Sequence, residues 1–292
     1  MPGKVTVTYL HHSGFLAAVG ETLLIFDYWQ GENNQFPVKA RLKKEDLAPY
    51  KQVIVFVTHA HEDHFDRVIY SWKEWKPDIS YVIASDMPKD VEGIRMQAGD
   101  VHELGDVKVE AFSSTDLGVS FLCTIGDLRL FHAGDLNLWH WREESTLRQI
   151  TEATESFYRA CEPLEKLDID VCMFPLDPRQ GAMYDAGINH FVLSVKPHVL
   201  IPMHWQGRSE VVLDYARKGR TRFTEILAMT KTRERADIER EIIKTEDGME
   251  KEELRLHMHT PQKGLYDDEK EETGDDQANP FRDTDLPVDI EK

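Results

Sequence analysis

Residues 53–65 read VIVFVTHAHEDHF. The opening Val53-Ile54-Val55-Phe56-Val57 is β-branched, aromatic and wholly apolar, the pattern of a strand buried on both faces. Positions 59–64 then hold three histidines and two acids. Imidazole is the commonest protein ligand for zinc, and carboxylate oxygens complete such sites. In H-x-H-x-D-H, His59 and His61 lie two apart on an extended segment and therefore face the same way. Asp63 and His64 follow where the chain turns, so they reach a second position close by. Two metals about 3.5–4 Å apart can share a bridging hydroxide. The strand lends such a site rigidity, and its open end lends access.

Outward from this stretch, the first 60 residues are β-rich. KVTVTYL alternates, and FLAAVGETLLIFDYW reads as two strands joined at Gly20-Glu21. FDRVIYSWKEWK has apolar residues at roughly helical spacing. SYVIASD, VHELGDVKVEAFSS and GVSFLCTIGDLRLFHAGD are further strands with turns at Gly105-Asp106 and Gly126-Asp127. A long helix is expected from about Ser145 to Leu167, with a Ser/Thr cap and an inner face of Leu147, Ile150, Phe157, Cys161 and Leu164. IDVCMFPL and PHVLIPMHW read as strands, GINHFVLSVK as a helix stopped by Pro197, and SEVVLDYARKG as a helix ending at Gly219. This order predicts an α+β fold with two stacked sheets and helices outside, a four-layer αββα sandwich.

Composition shifts after about residue 225. We expect a catalytic domain over residues 1–225 and a charged extension over 226–292. Lys263 to Lys292 holds 11 acids and 4 bases, a net of −7 out of the chain's −18, and reads as an extended or disordered acidic tail. A charge of −18 repels phosphate backbones, so nucleic acid is not an expected partner. Cys123, Cys161 and Cys172 are odd in number and form no C-x-x-C pair, which fits a reducing compartment. The N-terminal MPGKVTVTYL lacks an apolar signal core, and no apolar run approaches the roughly 18 residues that span a bilayer. The expected setting is cytoplasmic, with a small-molecule substrate and no membrane.

THAHEDH resembles the signature of the metallo-β-lactamase-fold hydrolase superfamily, and further marks follow in order. Asp27 in LLIFDYW matches the family's early strand-end aspartate, Asp135 in LRLFHAGD its bridging aspartate, and His204 in LIPMHW its final histidine. The resemblance covers about residues 4–210. It implies that His59 and His61 bind one metal, that Asp63, His64 and His204 bind a second, that Asp135 bridges them, and that Asp27 supports the metal loop. The stretches LHHSGFLAAVGETLLIFD and FHAGD are most similar to the branch holding ascorbate-phosphate lactonase-like and N-acyl-phosphatidylethanolamine phospholipase-like enzymes. One or two Zn2+ ions are the implied cofactor. A divalent metal lowers the pKa of bound water towards about 7, and the resulting hydroxide attacks a carbonyl or phosphoryl centre. Asp63 is the expected catalytic group, orienting that hydroxide or shuttling its proton.

The chain departs from the family at one motif. A histidine usually precedes the "GD" strand, but no histidine lies between His102 and His132, and the region reads AFSSTDLGVSF. A gapless match puts Ser114 at that position with Asp116 two residues on. Either Asp116, or less readily Thr115, replaces the ligand, or the first metal is weak or absent. A carboxylate there would favour Mn2+ or Fe2+ somewhat more than a third imidazole would.

Other residues carry two readings each. His132 fits a satisfied core histidine or a partner behind the ligands. His11-His12, near Gly14, fits a strand-end structural role or the pocket rim. In LNLWHWREE, Asn137 and His140 with Trp139 and Trp141 would form a substrate wall, and His140 is a further candidate for the missing ligand. In PLDPRQGAMYD, Asp177 and Arg179 would hold an anionic group, or pair with each other in a turn. His257 and His259 of HMH read as incidental. No Gly-rich phosphate loop and no G-x-S-x-G elbow occurs.

The leading expectation is a metal-dependent hydrolase of a small ester, lactone or phosphoester, using a metal-activated hydroxide at a dinuclear or mononuclear His/Asp site. The alternatives are a non-catalytic metal-binding or regulatory protein and a nucleic-acid phosphodiesterase of the same superfamily. A flavodiiron-type redox protein is disfavoured, because His61 stands where that branch carries glutamate and no flavodoxin-like module follows.

Overall fold

The structure, a computed structural model, describes residues 3–30, 37–244 and 250–259. Six strands open the chain: β1 Lys4–His11, β2 Gly14–Val19, β3 Thr22–Phe26, β4 Gln52–Val57, β5 Ser80–Ala84 and β6 Ile94–Met96. Seven more form the second sheet: β7 Val101–Leu104, β8 Val107–Ser113, β9 Val119–Ile125, β10 Leu128–His132, β11 Val171–Pro175, β12 Val199–Met203 and β13 Glu225–Ile226. Two strands, β14 Arg235–Lys244 and β15 Glu250–His259, return to the first sheet. The sheet orders are β15-β14-β1-β2-β3-β4-β5-β6 and β13-β12-β11-β10-β9-β8-β7. The helices are the single-turn α1 Lys44–Leu47, then α2 Leu147–Cys161, α3 Ala186–Ser194 and α4 Ser209–Lys218. Two mixed sheets with helices bear out the expected α+β sandwich.

Parallel pairing explains the opening stretch. β4 lies between β3 and β5, parallel to both, and Val53 through Val57 are all buried. A strand covered on both faces must be apolar throughout. Phe26 and Phe56 stack at 4.9 Å, and Phe56 meets Phe121 of the opposite sheet at 5.4 Å, so an aromatic column ties the sheets together beneath the HAHEDH loop. β10, β11 and β12 are likewise parallel. Both sheets therefore present the C-terminal ends of parallel strands, where chain leaves the core and polar side chains can gather.

The structure departs from three local expectations. Residues 67–74 form a 3-10 helix rather than an α-helix, burying Ile69 and Trp72 at i, i+3 spacing. The long helix begins at Thr146, which caps it reciprocally with Gln149, and its buried face is Phe157, Ala160 and Cys161. Leu147 is 84% exposed rather than on that face, because it occupies the first turn, ahead of the region that meets the sheet. The segment expected as an extension beyond residue 225 supplies β13, β14 and β15, and β14 pairs with β1 over Lys4↔Glu239 to Thr8↔Arg235. Arg240 on β14 is ion-paired to Asp168 and to the buried Asp170 just before β11. The described residues thus cluster as one compact unit. The acidic stretch Lys263 to Lys292 lies outside the described residues. Among the described residues, no helix is long and apolar enough to cross a membrane.

The segment just ahead of β9 packs closely against the HAHEDH loop at Gly118. Its φ is +72°, and a Cβ there would lie 1.9 Å from the Thr58 carbonyl oxygen and 2.7 Å from His59 Cβ. Val119 N–H donates to that same carbonyl at 3.0 Å. Gly126, in the β9–β10 turn, has φ +58° but open space around it. Gly126→Ala therefore meets only backbone strain, about 1 kcal/mol. Gly118→Ala meets strain plus collision with the loop that carries His59. We expect it to cost at least about 3 kcal/mol and to lower Tm by roughly 6–12 °C. Thermal melts of the two variants side by side check this, and equal losses would refute the close approach.

Candidate metal centre

Seven acidic and imidazole groups converge where the strands end. β3 leads into Asp27, β4 into His59, His61, Asp63 and His64, β10 into Asp135, and β12 into His204. Asp27 is buried between the ends of β3 and β4. Its carboxylate accepts Thr58 N–H at 2.8 Å, Thr58 Oγ1–H at 2.6 Å and His64 Nδ1–H at 2.8 Å. Since the Thr58 hydroxyl proton goes to Asp27, its oxygen is left to accept Nδ1–H of His59 at 3.0 Å. His204 Nδ1–H donates to Asp177 Oδ2 at 3.0 Å, with Asp177 placed at the end of β11. Three rings thus each have Nδ1 held by an oxygen partner and turn Nε2 towards the centre. Hydrogen bonding of the far nitrogen in this way orients and strengthens metal-ligating histidines.

The Nε2 atoms point at Asp135. Its Oδ1 lies 3.2 Å from His64 Nε2 and 3.5 Å from His204 Nε2, and its Oδ2 lies 3.6 Å from His59 Nε2. One carboxylate therefore faces two histidine groups with separate oxygens. Asp63 Oδ2 stands 4.0 Å from His204 Nε2 and 3.1 Å from His12 Nε2. Two sets of donor atoms, each mutually within 4.8 Å, result: His59, His61 and Asp135, and His12, Asp63, His64 and His204. A third such set, Asp27 with His59 and His64, is one in which the Asp27 oxygens are already occupied by hydrogen bonds.

A divalent cation fits this arrangement. His59 Nε2, His64 Nε2, His12 Nε2 and Asp135 Oδ1 are buried without a hydrogen-bond partner. Buried polar atoms are otherwise almost always satisfied, and these orphans all belong to the two donor sets, where a cation would supply the missing partner. Burial lowers the pKa of His59 to about 4, so its ring is neutral at pH 7. Burial also opposes ionisation of Asp135, but His204 and His64 outweigh it and hold the carboxyl well below the usual range. Asp63 is likewise held low against burial by His12, His64 and His204.

The remaining expected residues divide. Asp116 Oδ2 is 3.7 Å from His61 Nδ1, beside the first set, while the Thr115 hydroxyl is spent on the Asn137 backbone. His132 lies behind Asp27, 3.8 Å from Oδ2, with both ring nitrogens bonded, to Ser13 O and Gly134 N–H. Asn137, expected to contact substrate, is buried with its amide on Gln180 Oε1 and its side chain against Gly187, so it anchors its loop instead. His140, also expected there, is buried and joins none of the three donor sets. Arg179 pairs with Asp177 through Nε and a terminal nitrogen, the internal pairing that the sequence left open, and half of its side chain remains exposed. Sequence reasoning missed Thr58 and the Asp177–His204 bond, and it favoured a structural role for His12. A strand-end HHS beside the chain's other strand-end ligands was the available signal.

Asp27→Asn tests the orienting bonds. An amide cannot accept from both Thr58 and His64 without turning its NH2 on one of them. We expect metal affinity to fall by about 10- to 100-fold and stability by about 2–3 kcal/mol, read by chelator competition and by denaturant titration.

A sequence profile described as "Beta-lactamase superfamily domain" matches residues 6–151, half of the chain. The chain is 28% identical over 212 residues to the UPF0173 metal-dependent hydrolase of Symbiobacterium thermophilum, covering 68% of this chain and 83% of that protein. Among solved structures it is similar to Igni18, a metallo hydrolase from Ignicoccus hospitalis, with a TM-score of 0.57 at 17% identity over 80% of this chain and 98% of the other. It also shares its fold with a variant of the CmlA β-hydroxylase, with a TM-score of 0.50 at 13% identity over 80% of this chain and 54% of that one. With the matched half carrying the HAHEDH loop and Asp135, the chain belongs to the metallo-β-lactamase superfamily.

Proposed function

We propose that this chain is a metal-dependent hydrolase of a small ester, lactone or phosphoester. The convergence of orphaned Nε2 and carboxylate atoms on Asp135 carries the reading. The metal-dependent hydrolase of Symbiobacterium thermophilum, similar over most of its length, supports it. We assign His59, His61 and Asp135 Oδ2 to one metal position, with Asp116 beside His61, and Asp63, His64, His204 and Asp135 Oδ1 to the other. The imidazole-rich donor set suits zinc, and Asp116 moves the first position towards Mn2+ or Fe2+. A divalent cation held there lowers the pKa of a water towards about 7 and polarises the oxygen under attack.

The chain's own groups do the rest. Asp63, 37% exposed, stands at the open edge with its carboxylate ionised, ready to orient the attacking water and take its proton. Asp27, Thr58 and Asp177 hold the rings still. Trp139, whose ring lies 5.8 Å from that of His204, stacks with Trp141 as an apolar wall. The half-exposed Arg179 guanidinium offers an anionic part of the substrate its positive charge. Three buried, unpaired cysteines fit a cytoplasmic setting.

A second reading, one bound metal without turnover, is favoured by the openness of the first position, where His61 is 45% and Asp116 34% exposed. Elemental analysis of protein purified without chelator separates the two, together with turnover of an aryl ester, a γ-lactone and an aryl phosphodiester. We expect two metals per chain, falling to about one in Asp116→Ala, and turnover of at least one substrate. At saturating zinc, Asp63→Asn lowers kcat by about 100-fold or more. One metal with no turnover selects the second reading, and a chain without metal refutes both.

A further inference from the structure

The β1–β2 turn brings a residue into the centre that the superfamily motifs do not include. His12 follows directly on β1, which runs in the same direction as β3, so it leaves the sheet at the edge that carries Asp27 and the HAHEDH loop. Its backbone is left-handed, φ +54°, a conformation that non-glycine residues adopt at a cost. Its carbonyl accepts the His204 N–H at 3.3 Å, which binds the turn of one sheet to the ligand strand of the other.

The side chain is 7% exposed and directed inward. Its ring centroid lies 4.1 Å from that of His204 and 5.5 Å from that of His64. Its Nε2 is 3.1 Å from Asp63 Oδ2, yet it makes no hydrogen bond and is one of the buried orphans of the centre. Ligand atoms bound at about 2.0–2.2 Å to one tetrahedral ion lie about 3.3 Å from each other. The His12–Asp63 separation of 3.1 Å and the His204–Asp63 separation of 4.0 Å bracket that value. The neighbouring His11 instead stacks on Trp29 at 5.6 Å, so the two histidines of the turn have separate roles.

Resting on the metallohydrolase reading, we infer that His12 is a direct metal ligand, adding a third imidazole to the position formed by Asp63, His64 and His204. The two positions are then unequal. The second has three imidazoles and a carboxylate besides the shared Asp135. The first has two imidazoles, Asp135 and the exposed Asp116. The loss of an imidazole from the first position and its gain at the second make the second the site that fills first.

X-ray absorption of the wild-type protein loaded with one zinc per chain counts the imidazoles directly. Three are expected, since either position without His12 supplies only two. Zinc titration of His12→Asn, a side chain that tolerates the left-handed backbone, gives the companion measurement. The first equivalent is expected to weaken by about 10- to 100-fold, with the second equivalent unchanged within about twofold and circular dichroism as in wild type. Two imidazoles in the wild type, or an unaltered first equivalent in the variant, overturns the role of His12 and leaves the hydrolase reading standing. A wild-type chain that takes up no zinc overturns both. Should His12→Asn fail to fold, the imidazole count on the wild type decides alone.

Discussion

Thr58 and Asp27 form the joint on which the centre hangs. A carboxylate buried without compensation costs several kcal/mol. Asp27 is offset by three donors, two from Thr58 and one from His64. Each bond also fixes something. The Thr58 backbone bond joins the ends of two adjacent parallel strands, the Thr58 hydroxyl passes orientation on to His59, and the His64 bond sets a ring. Thr58 in turn is enclosed on both sides. Gly118 approaches its carbonyl, and Gly134 approaches its side chain, where a Cβ would lie 2.8 Å away. The glycine of the GD motif is thus explained by packing against Thr58, and the aspartate that follows it faces the histidines because that packing brings β10 so near.

Much of this was legible in the sequence, for a physical reason. A ligand set that sits on one strand end declares itself by spacing, and H-x-H-x-D-H does so within six residues. Asp27, Asp135 and His204 share a second signal, an apolar run that stops at an unpaired acid or imidazole. The two-sheet architecture followed from the same runs, because parallel strands buried on both faces cannot hide their composition. Asp116 was reachable by its place in a motif with a missing histidine, and the structure sets its Oδ2 beside His61.

What stayed hidden depends on partners far along the chain. Asp177 was read as an anion contact or as a turn partner of Arg179, and its bond to His204 went unseen because it spans 27 residues and leaves no local pattern. His12 and His204 come from different sheets, and no periodicity relates them. Leu147 was misassigned for the opposite reason: its spacing fits the apolar stripe, but the helix begins a turn before the sheet does. Asn137 and His140 sit beside Asp135 in sequence, yet the loop folds them inward, one onto Gln180. Proximity in sequence to a metal ligand located the loop correctly and its side chains wrongly.

The centre is also where the fold concentrates its costs. His12, Asp27 and His204 all have left-handed φ, at 54°, 42° and 61°. Each such residue costs about 1–3 kcal/mol, and each unsatisfied buried polar atom a similar amount. Such costs persist only where surrounding structure over-determines the conformation. Here the Phe26–Phe56–Phe121 column, the Arg240 ion pairs and the strand-end hydrogen bonds from Leu176 and Ala133 supply that constraint. The donors are consequently held in place by the protein alone. Binding energy from a cation is then not spent on ordering side chains, and the same rigidity keeps the separation between the two halves of the centre fixed by Asp135 rather than by the ion.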